Sequence, residues 1–154
     1  MAIKIVVTGG AIIRDSQGRI LMQKRSDYGD WGLPGGGMNP GETVEETVVR
    51  EIKEETGLEI LQYELHSIYS GPRMQYMYPD GNEVVFVMFL FEATADLRGR
   101  LADDGQTLLF EDSEKESLQL KFMDLQYINI QEINLVQKPV FEDLKAGKEG
   151  LLRS

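Results

Sequence analysis

Between Gly36 and Leu58 the chain reads G-x5-E-x7-R-E-I-x-E-E-x-G-L, with Gly36, Glu42, Arg50, Glu51, Ile52, Glu54, Glu55, Gly57 and Leu58 at the fixed places. Gly35, Gly36, Gly37, Pro40 and Gly41 punctuate a loop, because glycine accepts backbone angles that other residues resist. A helix is predicted to follow. Thr43 and Glu46 have the spacing of a capping box, in which each satisfies an amide that the first turn leaves orphaned, and Gly57 is placed to end the helix in a left-handed cap.

At about 100° per residue, Glu51, Glu54 and Glu55 fall within an arc of about 100°, beside Val48, Val49 and Ile52, which can face a core. Three carboxylates on one stripe in the second half of a helix oppose the macrodipole, and each like-charge pair costs ~0.2–0.5 kcal/mol. Arg50 offsets part of this through Glu54. A divalent cation would convert the remaining repulsion into ligation, and all-oxygen ligation suits Mg²⁺ or Mn²⁺ rather than zinc. A lone E-x-x-E-E is more often a solvated acidic face, but the glycine loop, Glu42 and Arg50 at set distances outweigh that reading here.

The pattern resembles the signature of the Nudix hydrolases and departs from it nowhere. The resemblance implies an α+β fold, a Nudix α/β/α sandwich with a mixed central sheet in which residues 36–58 form a loop, a helix and a loop. It also implies metal-dependent cleavage of a nucleoside diphosphate linked to another moiety: an NDP-sugar such as ADP-ribose, a dinucleoside polyphosphate, or a modified nucleoside triphosphate. On this resemblance Glu51, Glu54, Glu55 and the carbonyl of Gly35 are the expected metal ligands, and Glu51 is the first choice of general base. Arg50 is expected to orient a glutamate, Glu42 to steady the loop, and Gly36 and Gly57 to shape the motif.

The same resemblance implies one further carboxylate just ahead of a strand ending in an aromatic, here Phe122, and makes Glu116 the expected residue and an alternative base. Lys24 and Arg25, at a strand end before the glycine loop, suit phosphate oxygens, since an arginine fork matches them. Trp31 is a candidate for stacking on a base, with core packing as its commoner role. Arg73 and Tyr76 complete the expected substrate contacts. Pro72 and Tyr76 lie near places that mark relatives acting on ADP-ribose and on dinucleoside polyphosphates, though Pro72 is one residue out of step. The alternative is a non-catalytic nucleotide-binding regulatory module on the same fold; the complete set of glutamates counts against it.

At 154 residues the chain is expected to be one domain, residues 1–154, with an ordinary globular composition of 42% hydrophobic and 27% charged residues. A net charge of −10 argues against a nucleic-acid-binding surface but not against a small phosphorylated ligand brought in by metal. Zero cysteines exclude disulfides and thiolate ligands, no apolar run is long enough for a membrane span, and the cytoplasm is the expected address. Family members often pair, and the apolar strand surfaces permit a homodimer. His66, the one histidine, lacks a serine or cysteine nucleophile context and is expected to be structural.

Residues 3–13 read as a strand with a bulge at Gly9-Gly10, and residues 19–25 as a second strand pairing with it as a hairpin. Residues 58–69 read as another strand, 70–82 as a loop or hairpin, and 83–95, apolar on both faces, as the centre of the sheet. An acidic loop over 96–117, a strand over 118–125 and a closing helix over 130–145, interrupted or kinked by Pro139, follow. The tail 147–154 is expected to be loosely held.

Overall fold

The computed structural model describes residues 3–25, 29–110 and 117–154. Its elements in chain order are β1 (Lys4–Ile13), β2 (Ile20–Arg25), β3 (Trp31–Gly32), β4 (Gly35–Gly37), α1 (Val44–Thr56), β5 (Ile60–Tyr69), β6 (Gln75–Met77), β7 (Glu83–Ala95), β8 (Ser117–Met123), α2 (Lys138–Ala146) and β9 (Leu152–Arg153). The main sheet is mixed, in the order β4-β1-β7-β5-β9, with β6 paired to the far end of β7. A smaller antiparallel sheet runs β3-β2-β8.

β7 lies between β1 and β5, as its two apolar faces require. It runs parallel to β1 without interruption, from Lys4 opposite Val84 to Ile13 opposite Ala93, so no bulge forms at Gly9-Gly10. Those glycines serve close approach instead. A Cβ on Gly9 would stand 2.7 Å from Cγ2 of Val48, so its absence lets α1 settle onto β1.

Successive side chains of β1 alternate between two cores. Ala11 and Ile13 join Leu21, Val48, Ile52, Phe91 and Phe122 beneath α1. Ile12 turns the other way, with Met22, Tyr69, Leu90, Val140 and Phe141, beneath α2. The two helices therefore cover opposite faces of the strands, giving the α/β/α layering.

Three further segments differ from the sequence reading. β1 and β2 meet only at an isolated bridge between Arg14 and Ile20, and then part into different sheets, because β1 finds its long partner in β7 and β2 in β8. Residues 130–132 form a separate 3-10 turn, and the last helix begins only at Lys138. Pro139 sits in its first turn, where a missing N–H costs nothing, so it starts the helix instead of kinking it. The tail is not loose: Leu152 and Arg153 pair with Ile68 and Tyr69 of β5, and Arg153 is buried. Among the described residues no helix is long and apolar enough to cross a membrane.

Candidate active site

The loop and helix of residues 36–58 fold as their sequence requires. The Thr43 hydroxyl accepts from the amide of Glu46, whose carboxylate accepts from the amide of Thr43, and Gly57 closes α1 at φ 73° with its N–H on the carbonyl of Lys53. Arg100 secures the same end from outside, donating to the carbonyls of Thr56 and Gly57 at 2.9 and 3.1 Å. Such caps contribute about 1 kcal/mol each and fix where the helix starts and stops.

Arg50 organises the face of α1 that meets the loop. Its Nε and Nη2 donate to the two oxygens of Glu42 at 2.6 and 3.0 Å, its Nη1 to Glu51 at 2.8 Å and Glu54 at 3.3 Å, and Nη2 also to the carbonyl of Gly37 at 2.9 Å. Glu42 accepts in addition from the amide of Asn39 and the hydroxyl of Thr47. The Arg50 guanidinium and the Asn39 amide hold the Glu42 carboxyl down to about 2, against 4.5 ordinarily, and Glu42 in turn pushes the arginine's own pKa further up.

The three carboxylates of the stripe have different surroundings. Glu55 is 2% exposed, and its Oε2 accepts from the amide of Gly35 at 2.7 Å. Glu51 lies over Gly36 so closely that a Cβ there would stand 2.5–2.7 Å from its carboxylate atoms. The Glu54 side chain is half-exposed. Arg50 draws Glu51 and Glu54 toward Glu42 while Gly35 draws Glu55 toward the loop. In this arrangement no three acidic or imidazole groups among the described residues converge on one point. Their chemistry, carboxylate oxygens beside glycine carbonyls, nonetheless fits a hard divalent cation.

On the other side of the loop lies a cavity of about 450 Å³. Its floor is three alternate cross-strand pairs of β1 and β7: Val6 with Phe86, Thr8 with Met88, and Gly10 with Leu90. Tyr76 and Tyr78, packed edge to face at 4.9 Å, form one wall. Residues 134–137 form another, Gly35–Gly37 line the side that meets α1, and Arg25 and Asp30 complete the rim. The chain thus sets a row of carboxylates against one side of a glycine loop and a largely apolar hollow against the other.

The NUDIX domain model matches residues 4–144. The chain belongs to the NUDIX family. It is similar to the ADP-ribose pyrophosphatase of Methanocaldococcus jannaschii, at 37% identity over 108 residues, covering 70% of this chain and 61% of that protein. It is also similar to a putative 8-oxo-dGTP diphosphatase of Bacillus subtilis, at 44% identity over 64 residues and 42% of each chain. The matches thus span only about two-fifths to three-fifths of these relatives. Among solved structures, a MutT protein from Methanosarcina mazei Go1 shares the fold at TM-score 0.67 and 21% identity, over 97% of this chain and 99% of that one. A MutT NUDIX hydrolase from Burkholderia pseudomallei does so at TM-score 0.62 and 26% identity, over 90% and 97%.

Within this NUDIX fold the residues singled out by sequence are distributed unevenly. Gly35, Gly36, Glu42, Arg50, Glu51, Glu54, Glu55 and Gly57 gather at the loop and α1, and Arg25 and Tyr76 line the cavity. Lys24 and Trp31 pair with one another across β2 and β3, and neither lines the cavity; Trp31 packs on the core under α2. Arg73 is also elsewhere: it donates to both oxygens of Asp143 at 3.1 and 3.0 Å and does not line the cavity. Glu116 lies outside the described residues. His66 is half-buried, with its Nδ1 2.9 Å from the Ser67 hydroxyl, and burial pushes its pKa down.

Sequence reasoning missed the second wall. Gln137 Oε1 accepts from the amide of Leu33 at 2.6 Å, its Nε2 donates to the Leu33 carbonyl at 3.3 Å, and the Asn134 amide donates to the Trp31 carbonyl at 3.0 Å. Gly32 leaves room for both side chains, which a Cβ would strike. The only sequence signal is an Asn-x-x-Gln spacing ahead of a helix, and that spacing is common.

Proposed function

We propose that this chain is a metal-dependent pyrophosphohydrolase that cleaves a nucleoside diphosphate linked to a further group. What carries the reading is the juxtaposition of Glu51, Glu54 and Glu55 on one side of the Gly35–Gly37 loop with an apolar cavity on the other. Phosphates would bridge the loop, with the nucleoside in the cavity and the scissile anhydride beside the carboxylates. The names of its relatives, an ADP-ribose pyrophosphatase and a putative 8-oxo-dGTP diphosphatase, agree with that class.

Glu51, Glu54, Glu55 and the Gly35 carbonyl would hold a divalent ion, Mg²⁺ or Mn²⁺. Such an ion, when bound, neutralises phosphate oxygens and eases deprotonation of water. Glu51 is the residue assigned to take the proton from the attacking water, since Glu55 is buried on the Gly35 amide and Glu54 is half in solvent. Arg50 holds Glu51 in place through its Nη1 and is itself fixed by Glu42. Arg25, at the rim, is assigned to the phosphate of the leaving half.

The test is a panel of ADP-ribose, 8-oxo-dGTP, dinucleoside polyphosphates and ordinary nucleoside triphosphates, each with Mg²⁺ and with Mn²⁺, run beside Glu54→Gln and Glu55→Gln. One or more substrates should yield two phosphorylated products, with both variants slowed by at least about a hundredfold. Equal product release by wild type and variants would remove the hydrolase reading and leave a nucleotide-binding module in its place.

A further inference from the structure

One residue that lines the cavity carries a hydroxyl turned away from the open space and unused by the fold. Thr8 lies in the middle rung of the floor, opposite Met88 on one side and Gly37 on the other. Its Oγ1 is buried and has no hydrogen-bond partner among the described residues. Buried polar atoms are nearly always paired, and leaving one unpaired destabilises the folded chain. A valine of the same shape would fill the position without that cost.

The amides of the cavity wall do not share this condition. Gln137 is engaged at both ends of its side chain by Leu33, and the Asn134 Oδ1 accepts from the amide of Gln137 at 3.0 Å. They are the seam joining residues 31–33 to the start of α2. The surfaces around Thr8, from Val6, Phe86 and Met88, offer contact to a flat apolar face but no hydrogen bond to its edge. A rotation about χ1 exchanges the threonine's hydroxyl and methyl between neighbouring staggered positions, and no hydrogen bond opposes it.

We propose that Thr8 is a specificity-determining residue whose hydroxyl bonds the polar edge of the substrate's nucleoside. The inference rests on the hydrolase reading above, because it takes the nucleoside to occupy the cavity while the phosphates cross the Gly35–Gly37 loop. As a hydroxyl both donates and accepts, it can serve a ring nitrogen, a carbonyl or an exocyclic amine. A partner that arrives with the ligand then satisfies the group left unpaired by folding. This makes the ligand-free protein less stable than it need be and the complex more selective.

The experiment compares wild type, Thr8→Val and Thr8→Ser by steady-state kinetics on ADP-ribose and 8-oxo-dGTP with Mg²⁺, and by thermal unfolding without nucleotide. Thr8→Val should raise KM about five- to tenfold on the substrate that wild type cleaves, with kcat within about twofold, because a ground-state hydrogen bond is lost. Its Tm should equal or exceed that of wild type. Thr8→Ser, which keeps the hydroxyl, should keep KM near the wild-type value.

An unchanged KM in an active Thr8→Val enzyme would overturn the proposal. So would a Tm several degrees below wild type, since that would mean the hydroxyl has a structural partner. If wild type cleaves no member of the wider nucleotide panel, the hydrolase reading falls and this inference falls with it; if it cleaves another member of that panel, the same comparison is made on that substrate. An active wild type whose Thr8→Val variant is indistinguishable from it removes the inference alone.

Discussion

Replacing Asp143 with alanine should destabilise the protein more than almost any other polar substitution in it. The Asp143 carboxylate is 5% exposed and accepts from the Tyr69 hydroxyl at 2.9 Å and from Nη1 and Nη2 of Arg73 at 3.1 and 3.0 Å. Nη1 of Arg153 lies 3.7 Å away, on a side chain 3% exposed. Burial pushes the carboxyl's pKa up, but the hydrogen bonds from Arg73 and Tyr69 and the charges of Arg73 and Lys148 together outweigh it and the net shift is downward. One anion thus serves a buried arginine, a partly exposed arginine and a buried tyrosine.

Removing one partner of a buried pair costs about 3–5 kcal/mol, because the opposite charge is left uncompensated. The lower end applies here, because the Arg73 side chain is 31% exposed and can turn to water, while Arg153 keeps its bond to the Gly150 carbonyl. We expect about 3 kcal/mol, or a fall in Tm of roughly 6–12 °C for a chain of this length. Tyr69→Phe, which removes one hydrogen bond and keeps the ring, should cost only about 1 kcal/mol. Urea unfolding followed by circular dichroism measures both. An Asp143→Ala loss below about 1 kcal/mol would place the cluster among ordinary surface ion pairs and refute the account of the chain's C-terminal anchorage.

Two further outcomes are expected. Gly36→Ala should lower kcat by a factor of ten or more with little change in Tm, because the new methyl would meet the Glu51 carboxylate at 2.5–2.7 Å and displace it; an unimpaired kcat would show that Glu51 need not lie over the loop. The depressed Glu42 carboxyl, at about 2 against 4.5, contributes stability that is present above pH 4.5 and lost as the pH falls toward 2. Urea midpoints measured across that window should therefore fall less steeply for Glu42→Gln than for wild type, and parallel curves would contradict the assignment.

Helix α1 was legible because its information is local. Thr43, Glu46 and Gly57 specify both ends of α1 within fifteen residues, and the carboxylate stripe follows from helical geometry alone. The central place of β7 was equally legible, since a strand apolar on both faces has nowhere else to go. What escaped was partner choice at long range. Nothing near residues 13–20 says that β2 will leave β1 for β8, and nothing near Arg73 says that its guanidinium will meet a carboxylate seventy residues later. The tail was misjudged for the same reason: Leu152 and Arg153 have no strand pattern of their own, and become a strand because β5 offers an edge and Asp143 a counter-charge. At the site, the loop and its glutamates could be read in advance, whereas the cavity could not, because its lining comes from five separated stretches of chain.

The alternation along β1 carries an evolutionary corollary. Odd-numbered positions there seat the helix that bears the carboxylates, and even-numbered ones, with their partners on β7, shape the hollow. On the function proposed above, exchanging residues 6, 8, 86 and 88 would remould what the protein accepts while the seat of the acidic helix stays intact, so parity along one pair of strands would keep chemical competence and molecular taste on separately inherited positions.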